Sequence, residues 1–258
     1  DKIRASVGID LRKYKGYHYR TVNNLMGFDA YYSTGNDNSV GQFVNTTVNA
    51  SPFNNTGLNG PKIDYYNVGN VGWAGVNGLI EYNDDGRINA VVQAGLSNQS
   101  FQREDYFDQP GNPISETANL GGGYIKGGAN YNIDEKSNVF ANAGFISRQP
   151  NFSAVFPSYG NDINDDLQNE EITSFELGYG YLGDELTVNV SAYATTWGNR
   201  FRALSLTNAQ GVDGFAQFRD IDVQHNGIEL ESTYRPTNNL KLTGMLSLGD
   251  WKYTKDFE

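Results

Sequence analysis

Apolar residues recur at every second position through most of this chain. Ile3, Ala5, Val7, Ile9 and Leu11 alternate with Arg4, Ser6, Gly8, Asp10 and Arg12. At 100° per residue these positions would scatter around a helix, whereas at period two they line one face of a strand. The same alternation returns over 74–82, 88–96, 125–133, 139–145, 175–181, 186–194, 228–234 and 240–248. It predicts about nine strands of ~10–14 residues, against ~5–6 in ordinary soluble sheets. Such strands are too long for a sandwich.

The connections alternate in length. Short turns are expected at 83–87, 134–137, 182–185 and 236–239, with long polar loops over 13–70, 102–121, 149–171 and 199–217. Up-and-down strands then carry every short turn at one end and every long loop at the other, as outer-membrane barrels do. Tyr82, Tyr131, Tyr181 and Tyr234 each stand on the apolar face just before a short turn. Rings so placed form an interfacial girdle, body in lipid and hydroxyl at the headgroups. The apolar faces carry no charge, while Arg4, Asp10, Lys126, Glu176, Glu229, Glu231 and Lys241 lie on the opposite faces. A Lys or Arg on the lipid face would cost about 2–4 kcal/mol at midplane. One strand breaks phase: Ile221 and Val223 have the parity opposite to Ile228 and Leu230. A bulge at Gly227, or a strand continuing above the membrane, would account for it.

Composition narrows the chemistry. The formal charge of −11 argues against nucleic acid as a partner, since nothing would offset the phosphates. Without Cys there is no disulfide framework, zinc ribbon or thiol nucleophile. The two histidines, His18 and His225, make a His-built metal or triad site improbable. No segment approaches the ~18–20 apolar residues of a membrane-spanning helix. The fold class is therefore all-β, an antiparallel up-and-down transmembrane β-barrel.

Several stretches, in order, resemble TonB-dependent outer-membrane receptors, particularly the Bacteroidota type. They are Gly8-Ile9-Asp10-Leu11-Arg12-Lys13-Tyr14-Lys15-Gly16-Tyr17-His18-Tyr19, Ser137-Asn138-Val139-Phe140-Ala141-Asn142-Ala143-Gly144-Phe145, and Arg148-Gln149-Pro150-Asn151-Phe152. Asn169-Glu170-Glu171 then leads into Ser174-Phe175-Glu176-Leu177-Gly178-Tyr179, and His225-Asn226-Gly227-Ile228-Glu229-Leu230-Glu231 follows. The resemblance implies active uptake of a scarce solute of the siderophore, haem, cobalamin, oligosaccharide or peptide class. It implies as partners the TonB-ExbB-ExbD complex, the protein's own plug domain, membrane lipids and, in some members, a surface lipoprotein. It implies no cofactor. Residues 1–258 then form part of one barrel domain, roughly nine strands of a wall of about twenty-two. Patterned sequence begins at once with Asp1-Lys2-Ile3-Arg4, so signal peptide, plug and barrel C-terminus are expected outside this stretch.

Candidate ligand contacts fall in the long loops. Tyr14, Tyr17, His18 and Tyr19 open the first, and their rings either stack on a ligand or clamp the loop to its neighbours. Arg148 directly precedes the loop over 149–171, Tyr159 lies within it, and Trp197, Arg200 and Arg202 belong to the strand top that follows. The arginines suit an anionic ligand, although Arg is equally expected at a membrane rim. Asp162, Asp165 and Asp166 supply hard oxygen ligands for Ca²⁺ without EF-hand spacing, and a solvated acidic loop is the competing reading. Two other functions stay open. A soluble carbohydrate-binding β-protein would use the aromatics but not the strand lengths. A barrel enzyme would need a Ser/His or Asp/His pair, and neither histidine has an activating partner at recognisable spacing.

Overall fold

In a computed structural model, residues 2–49, 56–84, 86–207, 209, 211 and 213–255 are described. Nine long strands form one antiparallel sheet in chain order: β1 (Ile3–Arg20), β4 (Ile63–Asn83), β5 (Ile88–Asp105), β6 (Ala118–Asn132), β7 (Ser137–Arg148), β8 (Glu170–Leu182), β9 (Leu186–Thr207), β10 (Asp213–Thr237) and β11 (Leu240–Tyr253). A small ribbon, β2 (Tyr31–Ser33) with β3 (Gln42–Val44), decorates the first long connection. The turns after β4, β6, β8 and β10 are short and lie at one end. The sheet is open, with β1 and β11 as its end strands.

The register shows that this sheet is curved wall rather than flat meander. One row of partners runs Ile3, Tyr82, Ala90, Ala129, Ala141, Leu177, Ala192, Ile228, Leu248. Tyr82 lies one residue inside the end of β4, Ala129 three inside β6 and Leu177 five inside β8. Leu248 stands eight residues beyond the start of β11. Each strand is thus displaced by about one residue, ~3.3 Å, per ~4.8 Å of strand spacing, a tilt of about 35°. Barrel closure demands a tilt of this size. All nine members of the row are apolar and share the outward face, so the lipid band climbs across the sheet with the tilt.

The outward band carries no charge and keeps its large apolar side chains uncovered, Leu96 at 70% and Leu177 at 65% among them. The inner face is polar and bonded side chain to side chain. Asn138 donates to Asn130 (2.5 Å), Asn142 to Glu176 (2.9 Å) and Gln93 to the Tyr124 hydroxyl (2.9 Å). Glycines let inner aromatic rings lie across the neighbouring strand. A Cβ on Gly178 would come within 2.2 Å of the Phe140 ring, and one on Gly227 within 2.5 Å of the Tyr193 hydroxyl. A ring over a strand glycine restores the packing that the missing side chain forfeits.

Four expectations are corrected. Six of the nine strands run 15–25 residues, beyond the length expected from the apolar alternation, while β7, β8 and β11 at 12–14 residues keep to it. The first loop shrinks from 13–70 to 21–62, because β1 and β4 continue pairing to Arg20 and Ile63. The supposed loop over 199–217 is mostly strand, with only 208–212 left between β9 and β10. Backbone pairing with a neighbour holds these upper segments extended, although neither face is apolar enough to announce a strand. Finally, Gly227 pairs in register with both Tyr193 and Gly249. The irregularity lies higher, between Phe218 and Val223, where Asn199 and Asp220 take positive φ of 57° and 54° on facing strands. The strand continues above the membrane and bulges there.

Candidate functional site

The β7–β8 connection does not extend into solvent; it folds back over the inner face. Asn151 caps α2 (Phe152–Val155), accepting from the Ala154 N–H at 2.9 Å. This turn presses Val155 and Phe156 onto Phe101 and Ala118, with Val71, Leu120, Phe152, Ile163 and Leu167 around them. Phe101 and Val71 project inward, so above the membrane it is the inner parity that becomes apolar. Polar bonds fix the edges of this shelf. Gln149 donates to Ser97 Oγ at 2.9 Å, and Asn161 donates to the carbonyls of Asn112 and Pro113. Arg103, buried beneath, donates to Asn161 Oδ1 at 3.0 Å and lies 2.6 Å from buried Asp105. Asp105 also accepts the N–H groups of Phe107 and Asp108, which turns the neighbouring loop inward. Burial, and then the charge of Asp105, pushes the Asp108 carboxyl above its ordinary range.

Beside the shelf a cationic cluster forms where β7 and β8 end and β9 continues past them. Arg148 closes β7 opposite Glu170, which opens β8, and their charged atoms meet at 2.6 Å. Glu170 is buried and also accepts the Trp197 indole N–H at 3.0 Å. The guanidinium of Arg148 lies 5.4 Å from the Trp197 ring centre and that of Arg200 lies 4.4 Å from it. Cations over an indole face gain about 0.5–2 kcal/mol each, more as water is excluded. Arg200 and Arg202 have no carboxylate partner among the described residues. Together with Phe218, Ile221 and Tyr253 they line a recess of about 400 Å³. Among the described residues one carboxylate thus faces three guanidiniums, in a chain whose overall charge is −11.

Residues 4–258 match the family described as TonB dependent receptor-like, beta-barrel. The chain belongs to that family. No curated protein sequence matches it. Among solved structures it is similar to the copper transporter OprC, with a TM-score of 0.72 at 16% identity over 99% of this chain and 36% of that one. It is also similar to the ferric-catecholate import receptor Fiu from K12 E. coli, with a TM-score of 0.61 at 13% identity over 99% and 36%. BauA, the ferric preacinetobactin receptor from Acinetobacter baumannii, gives 0.51 at 14% over 99% and 35%. At these identities the likeness is one of fold. The chain spans about a third of the length of these structures. It is part of the wall of a TonB-dependent outer-membrane barrel.

In this receptor wall the sequence candidates separate. Arg148, Trp197 and Arg200 converge, with Arg202 beside them. The opening aromatics do not form one group, because Tyr14 and His18 have the inward parity and Tyr17 and Tyr19 the outward. Tyr19 meets Tyr66 edge-on at 6.4 Å, and Tyr66 stacks on Tyr106 at 4.8 Å. Lys62 lies 5.1 Å above Tyr19 and 5.3 Å above Tyr66, while donating to the carbonyls of Leu58 and Gly60. Burial lowers the pKa of that ammonium. A hydrogen bond to Glu104 pushes the Tyr106 phenol up to about 12. This outer cluster clamps the first loop to β4 and β5. Tyr159 stands largely exposed at the shelf tip, where neighbouring Ser158 accepts from Gln217 at 3.0 Å. Asp162, Asp165 and Asp166 follow in the same loop. Among the described residues no three His, Asp or Glu side chains draw together as a metal ion requires. Glu170 was legible only as one acid of a run; its role comes from cross-strand pairing with Arg148.

Proposed function

We propose that this wall serves active uptake of a scarce anionic solute through the outer membrane, with first capture at Arg148, Trp197, Arg200 and Arg202. The supporting observation is the local excess of guanidinium around an indole face in an otherwise acidic chain. An anionic solute with a planar group gains charge-assisted hydrogen bonds from Arg200 and Arg202 and stacks against Trp197. Arg148 is held by Glu170 and positions the indole. A plug domain and the TonB-ExbB-ExbD complex complete this reading, supported by family membership. The inner wall offers such a plug the carboxylates Glu229 and Glu231, neither of which makes an ion pair among the described residues.

The test uses the full-length parent protein in whole cells, with ferric citrate as anionic probe and maltohexaose as neutral probe. Arg200→Ala should weaken ferric citrate binding about tenfold, the worth of one charge-assisted contact at ~1.4 kcal/mol. Surface level should stay unchanged. Binding of the neutral probe alone, or equal losses for both probes, would overturn the anionic assignment.

A further inference from the structure

On the outer wall, just above the lipid band, three register rows cross β1, β4, β5 and β6. The lowest is Leu11, Ala74, Asn98, Gly121, and the next is Lys13, Gly72, Ser100, Asn119. The third begins Lys15, Asn70, Gln102. All carry the outward parity, and no register shift falls within these rows; the one between β1 and β4 lies higher, between Tyr19 and Arg20. These rows enclose a groove of about 630 Å³. Its floor is open because Gly72 has no side chain; a Cβ there would stand 2.5 Å from Ser100 Oγ. Gly121 likewise leaves open space beside Asn98 and Asn119.

The lining is polar and largely unpartnered. Lys13, Asn98, Ser100 and Asn119 make no side-chain hydrogen bond or ion pair among the described residues. Asn70 donates to Glu104 and Gln102 to the Ser115 carbonyl, and neither amide oxygen accepts a hydrogen bond among the described residues. Amides and hydroxyls that both donate and accept match the hydroxyls of a sugar, and an unpaired ammonium matches a phosphate. Directly below, Leu11, Ala74 and Leu96 begin the apolar band. A single amphiphile lying along the wall would meet apolar surface and then a polar level at which the Lys13 ammonium stands among amides and a hydroxyl.

We propose that this groove binds the phosphorylated sugar headgroup of an outer-leaflet glycolipid, with its acyl chains against the band below. Lys13 pairs with a phosphate, and Asn98, Ser100 and Asn119 read the sugar hydroxyls. The site lies on the opposite face of the wall from the ligand recess and does not depend on the solute carried.

The experiment takes the full-length parent from outer membranes into mild detergent and counts bound lipids by mass spectrometry of the intact protein. The probes added back are a bis-phosphorylated glucosamine-disaccharide lipid and phosphatidylglycerol. The wild type should retain the glycolipid over phosphatidylglycerol. The double variant Lys13→Glu, Asn98→Asp should lose about tenfold in glycolipid retention, and the uncharged Asn119→Leu about threefold. Lys252→Glu, on the outer face of β11, should change nothing. Anomalous gel migration confirms that each variant is folded, and Asn119→Leu carries the test if the double variant is not. Undiminished retention in the groove variants would overturn the proposal. So would an equal loss in Lys252→Glu, or equal retention of phosphatidylglycerol by the wild type, since either would reduce the effect to diffuse charge.

Discussion

The lower half of β5 and its upper half obey the same period-two rule with opposite sense. From Ile88 to Leu96 the outward residues are apolar and the inward ones are Asn89, Val91, Gln93 and Gly95. From Ser97 upward the outward residues are Asn98, Ser100, Gln102 and Glu104, while Phe101 turns inward and is 2% exposed. Below, the solvent for apolar side chains is lipid outside the wall; above, it is protein inside, supplied by α2 and its flanks. The level at which apolar parity changes sides therefore marks the membrane boundary. It separates stability that comes from bilayer from stability that comes from a water-type core.

That contrast breaks if the two regions unfold together. Phe101→Ala should cost about 3–5 kcal/mol, the usual range for a buried ring in a packed core. The loss should be confined to the shelf, read as faster amide hydrogen exchange over 149–169 with 137–148 still protected. Equal loss of protection in both segments would mean that shelf and wall are one cooperative unit.

Within the band the contrast is between faces. Val190 points to lipid between Tyr179 and Leu230, and Asn189 points inward between Gly180 and Glu231. Val190→Arg should destabilise the folded barrel by about 2–4 kcal/mol. Asn189→Arg should be much milder, because the new guanidinium faces Glu231 across the strand pair. Urea-dependent folding into lipid vesicles measures both, and equal effects would reverse the face assignment.

The band was legible in the sequence because lipid imposes one uniform demand on every second residue. So were the nine strands and the place of the four tyrosines on the outward face near the short turns. The upper structure was less so, for separate physical reasons. Arg200-Phe201-Arg202-Ala203 shows no clean face, so backbone pairing with β10 was invisible there. Phe152-Ser153-Ala154-Val155-Phe156 is an apolar run inside a polar loop, a signal that the loop must bury itself somewhere. The splitting of Tyr14 and His18 from Tyr17 and Tyr19 follows from the same parity that defined the strand, once β1 is carried on past Leu11. Glu170 could not be found, since its pairing with Arg148 depends on a register that only the folded sheet fixes.

The smallest effect belongs to the short turns, which lie outside both regions. Asp84 accepts the N–H groups of Arg87 and Ile88 at 2.8 and 2.6 Å, and Asp134 those of Lys136 and Ser137 at 2.8 Å each. Those backbone donors favour the ionised carboxylate and hold both groups below the ordinary carboxyl range, the bond from Ile88 weighing most for Asp84 and that from Lys136 for Asp134. A carboxyl depressed in the folded state adds stability above its unfolded pKa of about 4, and that contribution is lost as pH falls through the lower folded value. Between pH 5 and 8 the turns should therefore be indifferent to pH, and they should loosen only in stronger acid. Asp134→Asn should remove the acid transition at that turn while leaving the band and the shelf unchanged, as read by amide exchange at Lys136 and Ser137 against pH. An acid transition that persists in Asp134→Asn would assign it to another group and leave the turn a passive reversal of the chain.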